Sequence, residues 1–283
     1  QLAPRELDGF LRQGALFFGP VEVHGLCSPP MRQSGTKTTE LRSAEVWTAR
    51  PTPASEVLHL LDEQEQSRLA RFRFERDADS YASAHALVRL ALSSVNPAVK
   101  PSDWSFHVAE FGKPELHPPS DLRFNLSHTR DLVAAGTLVG AEIGVDVEAI
   151  GTREVAQELR SRVLSPLEVR ALDELPLDRQ ARRFFAIWSL KESFIKACGL
   201  GLRMPLREIS FAFDSQFGDG DDSPRLVETP SETSYQPEDW QIHLGRPQAQ
   251  THALGVTAGL VQGRAPAIRV THVDLTALVK AAR

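Results

Sequence analysis

A long helical run followed by several short strands occurs twice in this chain of 283 residues, and the repeat limits the folds open to it. Apolar positions Ala84, Leu87, Val88, Ala91 and Leu92 recur at three and four, which predicts a helix over 77–94. Strands are expected after it at 104–110, 124–128, 132–139 and 143–147, with turns at Phe111-Gly112-Lys113-Pro114 and at Gly140. A second helix is predicted over 182–198, stopped by Gly199-Leu200-Gly201 in left-handed conformation. Strands are expected after it at 209–213, 225–227, 240–244, 253–261 and 268–274. A strand at 45–49 and a helix over 55–71, with Val57, Leu58, Leu61 and Leu69 inward, precede the first unit. The reading is α+β: two halves of similar α/β design, 43–150 and 151–283, with a seam near 148–155. Residues 1–42 form an accessory segment, apolar enough at 16–23 to dock and expected as a mobile loop at 28–39. Surface loops are expected at 217–224 and 230–237.

Composition excludes several classes. With 32 basic and 37 acidic residues the net charge is −5, which argues against bulk nucleic-acid binding. No apolar run reaches the roughly 18 residues needed to span a bilayer. The chain begins at Gln1 and shows no signal-peptide pattern there. Cys27 and Cys198 lie far apart, with no metal-ligand spacing and no disulfide framework, so a reducing, cytoplasmic setting is expected.

Two segments carry candidate chemistry. In Ile143-Gly144-Val145-Asp146-Val147-Glu148, a strand puts Asp146 and Glu148 on one face while the valines pack behind. Paired carboxylates suit a Mg²⁺ ion with waters and phosphates, or simply the solvated edge of an antiparallel sheet. In the helical run, Glu192 and Lys196 stand one turn apart, on a face shared with Phe185 and Ser189. They read either as a surface ion pair or as a covered functional face. Lys191 falls inside the apolar arc, where its amine must snorkel or find an anion. Ser127 and His128 end a strand on opposite faces, so a direct dyad is disfavoured, and both suit phosphate oxygens. Lys113 is a turn lysine or a phosphate clamp. Arg68, Arg71, Arg73, Arg76 and Arg89 make the second quarter basic, either for phosphate or as solvated helix arginines.

In their order, Gly112-Lys113-Pro114, Phe124-Asn125-Leu126-Ser127-His128, Gly144-Val145-Asp146-Val147-Glu148 and Trp188-Ser189-Leu190-Lys191-Glu192-Ser193-Phe194-Ile195-Lys196 resemble the surfactin-synthetase-activating type of 4′-phosphopantetheinyl transferase. The likeness covers roughly residues 45–275. It implies a pseudo-twofold pair of halves with the active site in the cleft between them. The implied reaction is Mg²⁺-dependent transfer of the phosphopantetheine arm of coenzyme A to a serine of an acyl or peptidyl carrier protein, releasing adenosine 3′,5′-bisphosphate. By motif match, Asp146, Glu148 and Glu192 hold the metal, and Glu192 also serves as general base. Lys196 binds the diphosphate, with Lys191 as a neighbour. Lys113, Ser127 and His128 contact the 3′-phosphate or diphosphate, and Arg68 the nucleotide. The implied protein is a cytoplasmic monomer that binds neither nucleic acid nor membrane.

The carriers of such reactions are acidic near the modified serine. Arg160, Arg162, Arg170, Arg179, Arg182 and Arg183, with Leu164, Leu167, Val169, Leu172 and Leu177, are a candidate docking surface or else a solvated helix pair. A coenzyme-A-binding module without catalysis would lack the acids. Another nucleotide-diphosphate enzyme would carry a Gly-rich phosphate loop, and neither G-x-x-x-x-G-K-[ST] nor G-x-G-x-x-G occurs.

Overall fold

The computed structural model describes residues 43–151, 155, 157–214 and 223–282, apart from the side chain of Leu202. The expectations for 16–23 and 28–39, for most of 217–224 and for part of the seam lie outside the described residues.

Strand β1 (Ser43–Ala49) opens the first unit, followed by helices α1 (Glu63–Leu69) and α2 (Glu75–Val95). The single helix expected over 55–71 is broken. Asp62 closes a capping box with Glu65, which starts α1 afresh, and Leu58 is left exposed. Strands β2 (Ser105–Val108), β3 (Pro114–His117), β4 (Leu122–His128), β5 (Val133–Val139) and β6 (Ile143–Ala149) follow. The turns fall at the two glycines named above, with φ of 87° at Gly112 and 85° at Gly140.

After the seam come α3 (Gln157–Val163), α4 (Pro166–Asp173) and the long α5 (Leu177–Cys198). The last begins behind Pro176, earlier than expected, and ends on left-handed Gly199. Strands β7 (Ser210–Phe213), β8 (Pro224–Glu228), β9 (Trp240–Gly245), β10 (His252–Gly259) and β11 (Ala267–His272) complete the second series. A closing helix, α6 (Leu275–Ala281), was absent from the sequence reading; Asp274 caps it by accepting from the Ala277 N–H.

Pairing does not follow chain order. One sheet runs β11-β1-β5-β4 and another β6-β10-β9. The first series thus gives β6 to the second sheet, and the second gives β11 to the first, parallel to β1. Helix α2 covers β4 and β5, and α5 covers β6 and β10. Leu87, Leu92, Phe124, Leu126 and Val133 lie in the first core, while Val145, Val147, Leu254 and Val256 join residues of β1 and β5 between the sheets. No described helix is long and apolar enough to cross a membrane.

Candidate active site

One edge of β6 pairs with β10; the other meets side chains of β4. Asn125 Oδ1 accepts from the Val145 N–H at 2.9 Å and Ser127 Oγ from the Val147 N–H at 3.2 Å. Residues two apart on β4 thereby satisfy N–H groups two apart on β6, as the strand period allows. The Asn-Leu-Ser motif is a seam between sheets, a role its sequence spacing did not reveal.

Helix α5 presses on β6 and β10 where both strands carry glycine. A Cβ at Gly144 would lie 1.9 Å from the Ser193 carbonyl oxygen, and one at Gly255 2.3 Å from that of Ser189. This approach carries Glu192 and Lys196 to the acids of β6. Lys196 Nζ lies 2.6 Å from Asp146 Oδ1, 3.2 Å from Ser127 Oγ and 3.3 Å from the Val145 carbonyl. Ser127 donates to Asp146 Oδ1 at 3.0 Å, and Trp188 Nε1 donates to Glu148 Oε1 at 2.8 Å. Asp146 Oδ2 is buried without a hydrogen-bond partner.

The acids feel one another. Burial pushes the Glu192 carboxyl up to about 7, aided by the Asp146 charge and opposed by Lys196. Burial also pushes Glu148 well above the usual range, helped by Asp146 and Glu192 and opposed by Trp188 and Lys196. These two carboxyls resist ionisation unless more positive charge arrives. As placed, Lys196 is the cation facing Asp146, and no group of three or more His, Cys, Asp or Glu among the described residues is set to hold a metal.

Residues 142–255 match the model of the 4′-phosphopantetheinyl transferase superfamily, and residues 45–139 match that of a 4′-phosphopantetheinyl transferase N-terminal region. A 4′-phosphopantetheinyl transferase of Bacillus subtilis is 33% identical over 171 residues, 58% of this chain and 73% of that protein. The 4′-phosphopantetheinyl transferase Sfp of Bacillus subtilis strain 168 is 31% identical over 168 residues, with the same coverage of 58% and 73%. This chain belongs to the 4′-phosphopantetheinyl transferase family. It is a transferase.

Within this transferase the remaining predicted residues divide. His128 leaves the face of β4 opposite Ser127. Burial, then the charges of His85, Lys196 and Arg68, hold its imidazole down to about 3. Arg68 lies 5.7 Å over the Tyr81 ring. His128 thus stands in the electrostatic reach of both Arg68 and Lys196. Two lysines do not join the cluster. Lys113 Nζ lies 2.6 Å from Glu142 Oε2 and donates to the Ala197 carbonyl at 2.9 Å, where a cation complements the end of α5. Lys191 is fully buried, 2.6 Å from Glu168 Oε2, and donates to the Val163 and Leu206 carbonyls. The anion its place in the apolar arc required is Glu168, because α5 turns that arc toward α3 and α4. Lys191 ties helices together away from Asp146.

Other expectations also change. Arg89 is neither solvated nor in the acid cluster; it is buried on Glu65 and Asp62. In the segment that reads as a docking surface or a solvated helix pair, Leu164 and Leu172 are buried, Arg183 is buried over Phe213, and Leu177 is 79% exposed. Trp188 and Asn125 belong to the motifs, and their roles, bonds to Glu148 and to the Val145 N–H, are not set by spacing. His85, a polar residue among the apolar positions of α2, was the one available signal for the cluster it shares with Glu65.

Proposed function

We propose that this chain moves the 4′-phosphopantetheine arm of coenzyme A to a serine of an acyl or peptidyl carrier protein, Mg²⁺-dependently, at the Asp146–Glu148–Glu192–Lys196 cluster. The observation that carries the reading is Asp146: one carboxylate oxygen is held by Lys196 and Ser127, while the other is buried and unpartnered. A buried polar atom left unpaired is costly. A divalent cation is the ligand class that would satisfy it and relieve the strained ionisation of Glu148 and Glu192. Mg²⁺ binds through one or two carboxylates and completes its shell with water and substrate phosphates, so the acids need not form a closed cage beforehand. When bound, the ion supplies charge neutralisation for the diphosphate.

The chain's own groups do the rest. Lys196 holds the diphosphate, and Arg68 and His128 contact further phosphate oxygens. Ser127 fixes both Asp146 and Lys196. Glu192, its carboxylate ionised once added positive charge offsets its burial beside Asp146, takes the proton from the carrier serine. The serine oxygen forms a bond to the phosphorus that bears the pantetheine arm. The bond from that phosphorus to the bridging oxygen breaks, and adenosine 3′,5′-bisphosphate leaves with the electron pair. A long helix laid on an antiparallel strand pair, α2 on β4 and β5 and α5 on β6 and β10, supports a pseudo-twofold arrangement with the site between the halves. The reading is of a cytoplasmic monomer acting on a carrier domain or a free-standing carrier protein.

Mass spectrometry of an apo carrier incubated with coenzyme A tests this. A gain matching phosphopantetheine is expected with Mg²⁺, little without it, and little from Asp146→Ala. Modification by Asp146→Ala at the parent rate would remove the metal assignment.

A further inference from the structure

The turn between β2 and β3 reaches across to the end of α5, and the reaction above gives it no task. Gly112 takes a left-handed φ of 87°, and the Ala109 N–H closes the turn on the Lys113 carbonyl at 2.8 Å. Phe111 and Lys113 then lie along the stop of the helix. The Arg203 guanidinium sits 4.9 Å over the Phe111 ring. A Cβ at left-handed Gly199 would lie 3.2 Å from Lys113 Cδ, so the lysine stem runs past the last turn of α5.

Lys113 Nζ joins two anchors, Glu142 Oε2 at 2.6 Å and the Ala197 carbonyl at 2.9 Å. Glu142 stands one residue before β6. Its other carboxylate oxygen accepts from Arg123 Nε at 2.8 Å, and its carbonyl accepts from the Gly259 N–H at 2.8 Å. Burial pushes the Glu142 carboxyl up, but the charge and hydrogen bond of Lys113, with those of Arg123, outweigh it and hold it below its usual range. Glu142 is therefore an ionised anchor. The Lys113 side chain is only 9% exposed. An ammonium spent on a carboxylate and a helix-end carbonyl, with that carboxylate's charge beside it, is a poor clamp for a ligand phosphate.

The two anchors lie on either side of the acid cluster. Ala197 follows Lys196 on α5, and Glu142 precedes Asp146 by four residues. Between them α5 meets β6 at Gly144, where an added Cβ would lie 1.9 Å from the Ser193 carbonyl oxygen and 2.5 Å from the Ala197 nitrogen. That contact fixes how near helix and strand come. With no side chain to interlock, it does not fix how far one slides along the other. The Trp188–Glu148 bond limits the slide at one end of β6. Lys113 limits it at the other, next to the 2.6 Å approach of Lys196 Nζ to Asp146 Oδ1. We propose that Lys113 is a positioning residue for the transfer: it sets the register of α5 against β6, and thereby where Glu192 and Lys196 face Asp146. This rests on the reading of that cluster as the transfer site.

Carrier modification at saturating coenzyme A and carrier, counted per coenzyme-A-binding site from calorimetric stoichiometry, separates positioning from folding and from ligand contact. Lys113→Met is expected to turn over about ten- to a hundredfold more slowly per site, the scale of a small misplacement of reacting groups. Its preference for coenzyme A over dephospho-coenzyme A, which lacks the 3′-phosphate, is expected to equal the parent's. Glu142→Gln cuts the other end of the link and should slow turnover likewise. The double variant should be little slower than either single one, because the two residues act as one link. Should Lys113→Met fail to fold, Glu142→Gln decides by the same two readouts. Parent-like turnover per site in a folded variant overturns the inference. So does a lost preference for coenzyme A, which would make Lys113 a ligand of the 3′-phosphate. Either result leaves the transferase reading standing. A parent that modifies no carrier overturns that reading instead.

Discussion

Glu192 ties stability to pH. Its carboxyl holds a proton up to about 7 in the folded chain, against 4.5 when unperturbed, because it is buried beside Asp146. Below pH 4.5 folded and unfolded chains are both protonated there, and the group contributes no difference. Between 4.5 and 7 the unfolded chain releases its proton and the folded chain keeps it, so stability falls as pH rises, and above 7 the loss is complete. Without divalent ions, Glu192→Gln is expected to melt above the parent at pH 8, by roughly 2–4 °C for each kcal/mol relieved, and level with it at pH 4. Thermal melts at both pH values check this; equal offsets at the two would contradict it. Added Mg²⁺ should raise the parent's melting temperature at pH 8 and leave Asp146→Asn unmoved. Turnover of Asp146→Asn should fall by about a hundredfold or more, the scale of losing one preorganised electrostatic partner.

Helix α5 holds the site together by its closeness to β6. Gly144→Ala would drive a methyl into the Ser193 carbonyl, so α5 must retreat with Glu192 and Lys196. A loss of about 1–3 kcal/mol is expected for such overpacking, with turnover falling further than stability alone explains. Gly136→Ala meets only side-chain atoms of Val145 and Ile143 and should be milder. Denaturant unfolding of the pair checks the ranking. On the far side of α5, Lys191→Met leaves Glu168 buried without its cation, a loss of about 3–5 kcal/mol. The folded fraction should keep its KM for coenzyme A; a large rise would return Lys191 to the site. Spacing made much of this legible: alternation put Asp146 beside Glu148, and one helical turn put Lys196 beside Glu192. Spacing names a face but not what lies opposite. Asn125 and Ser127 clip a strand 20 residues away, and Lys191 meets Glu168 across a fold the sequence does not spell out.

At the scale of the molecule, most of the order of helices and strands was readable from periodicity and from stops such as Gly140 and Gly199, while β3 and α6 were not. The pairing was not, because edges choose partners by shape after collapse. The exchange of β6 and β11 between sheets means that neither half is self-sufficient. Residues 43–150 expressed alone should show no cooperative melt, since β6 lacks β10 and β1 lacks β11. A sharp transition from that fragment would refute the claim.

Thr48 and His272 bond across a separation of 224 residues, next to the parallel pairing of β1 and β11. During translation, then, one flank of β1 waits bare until residue 272 has cleared the ribosome. Such a flank is an aggregation template. Slow synthesis or scarce chaperones should therefore lower the yield of soluble enzyme well before they alter the finished molecule.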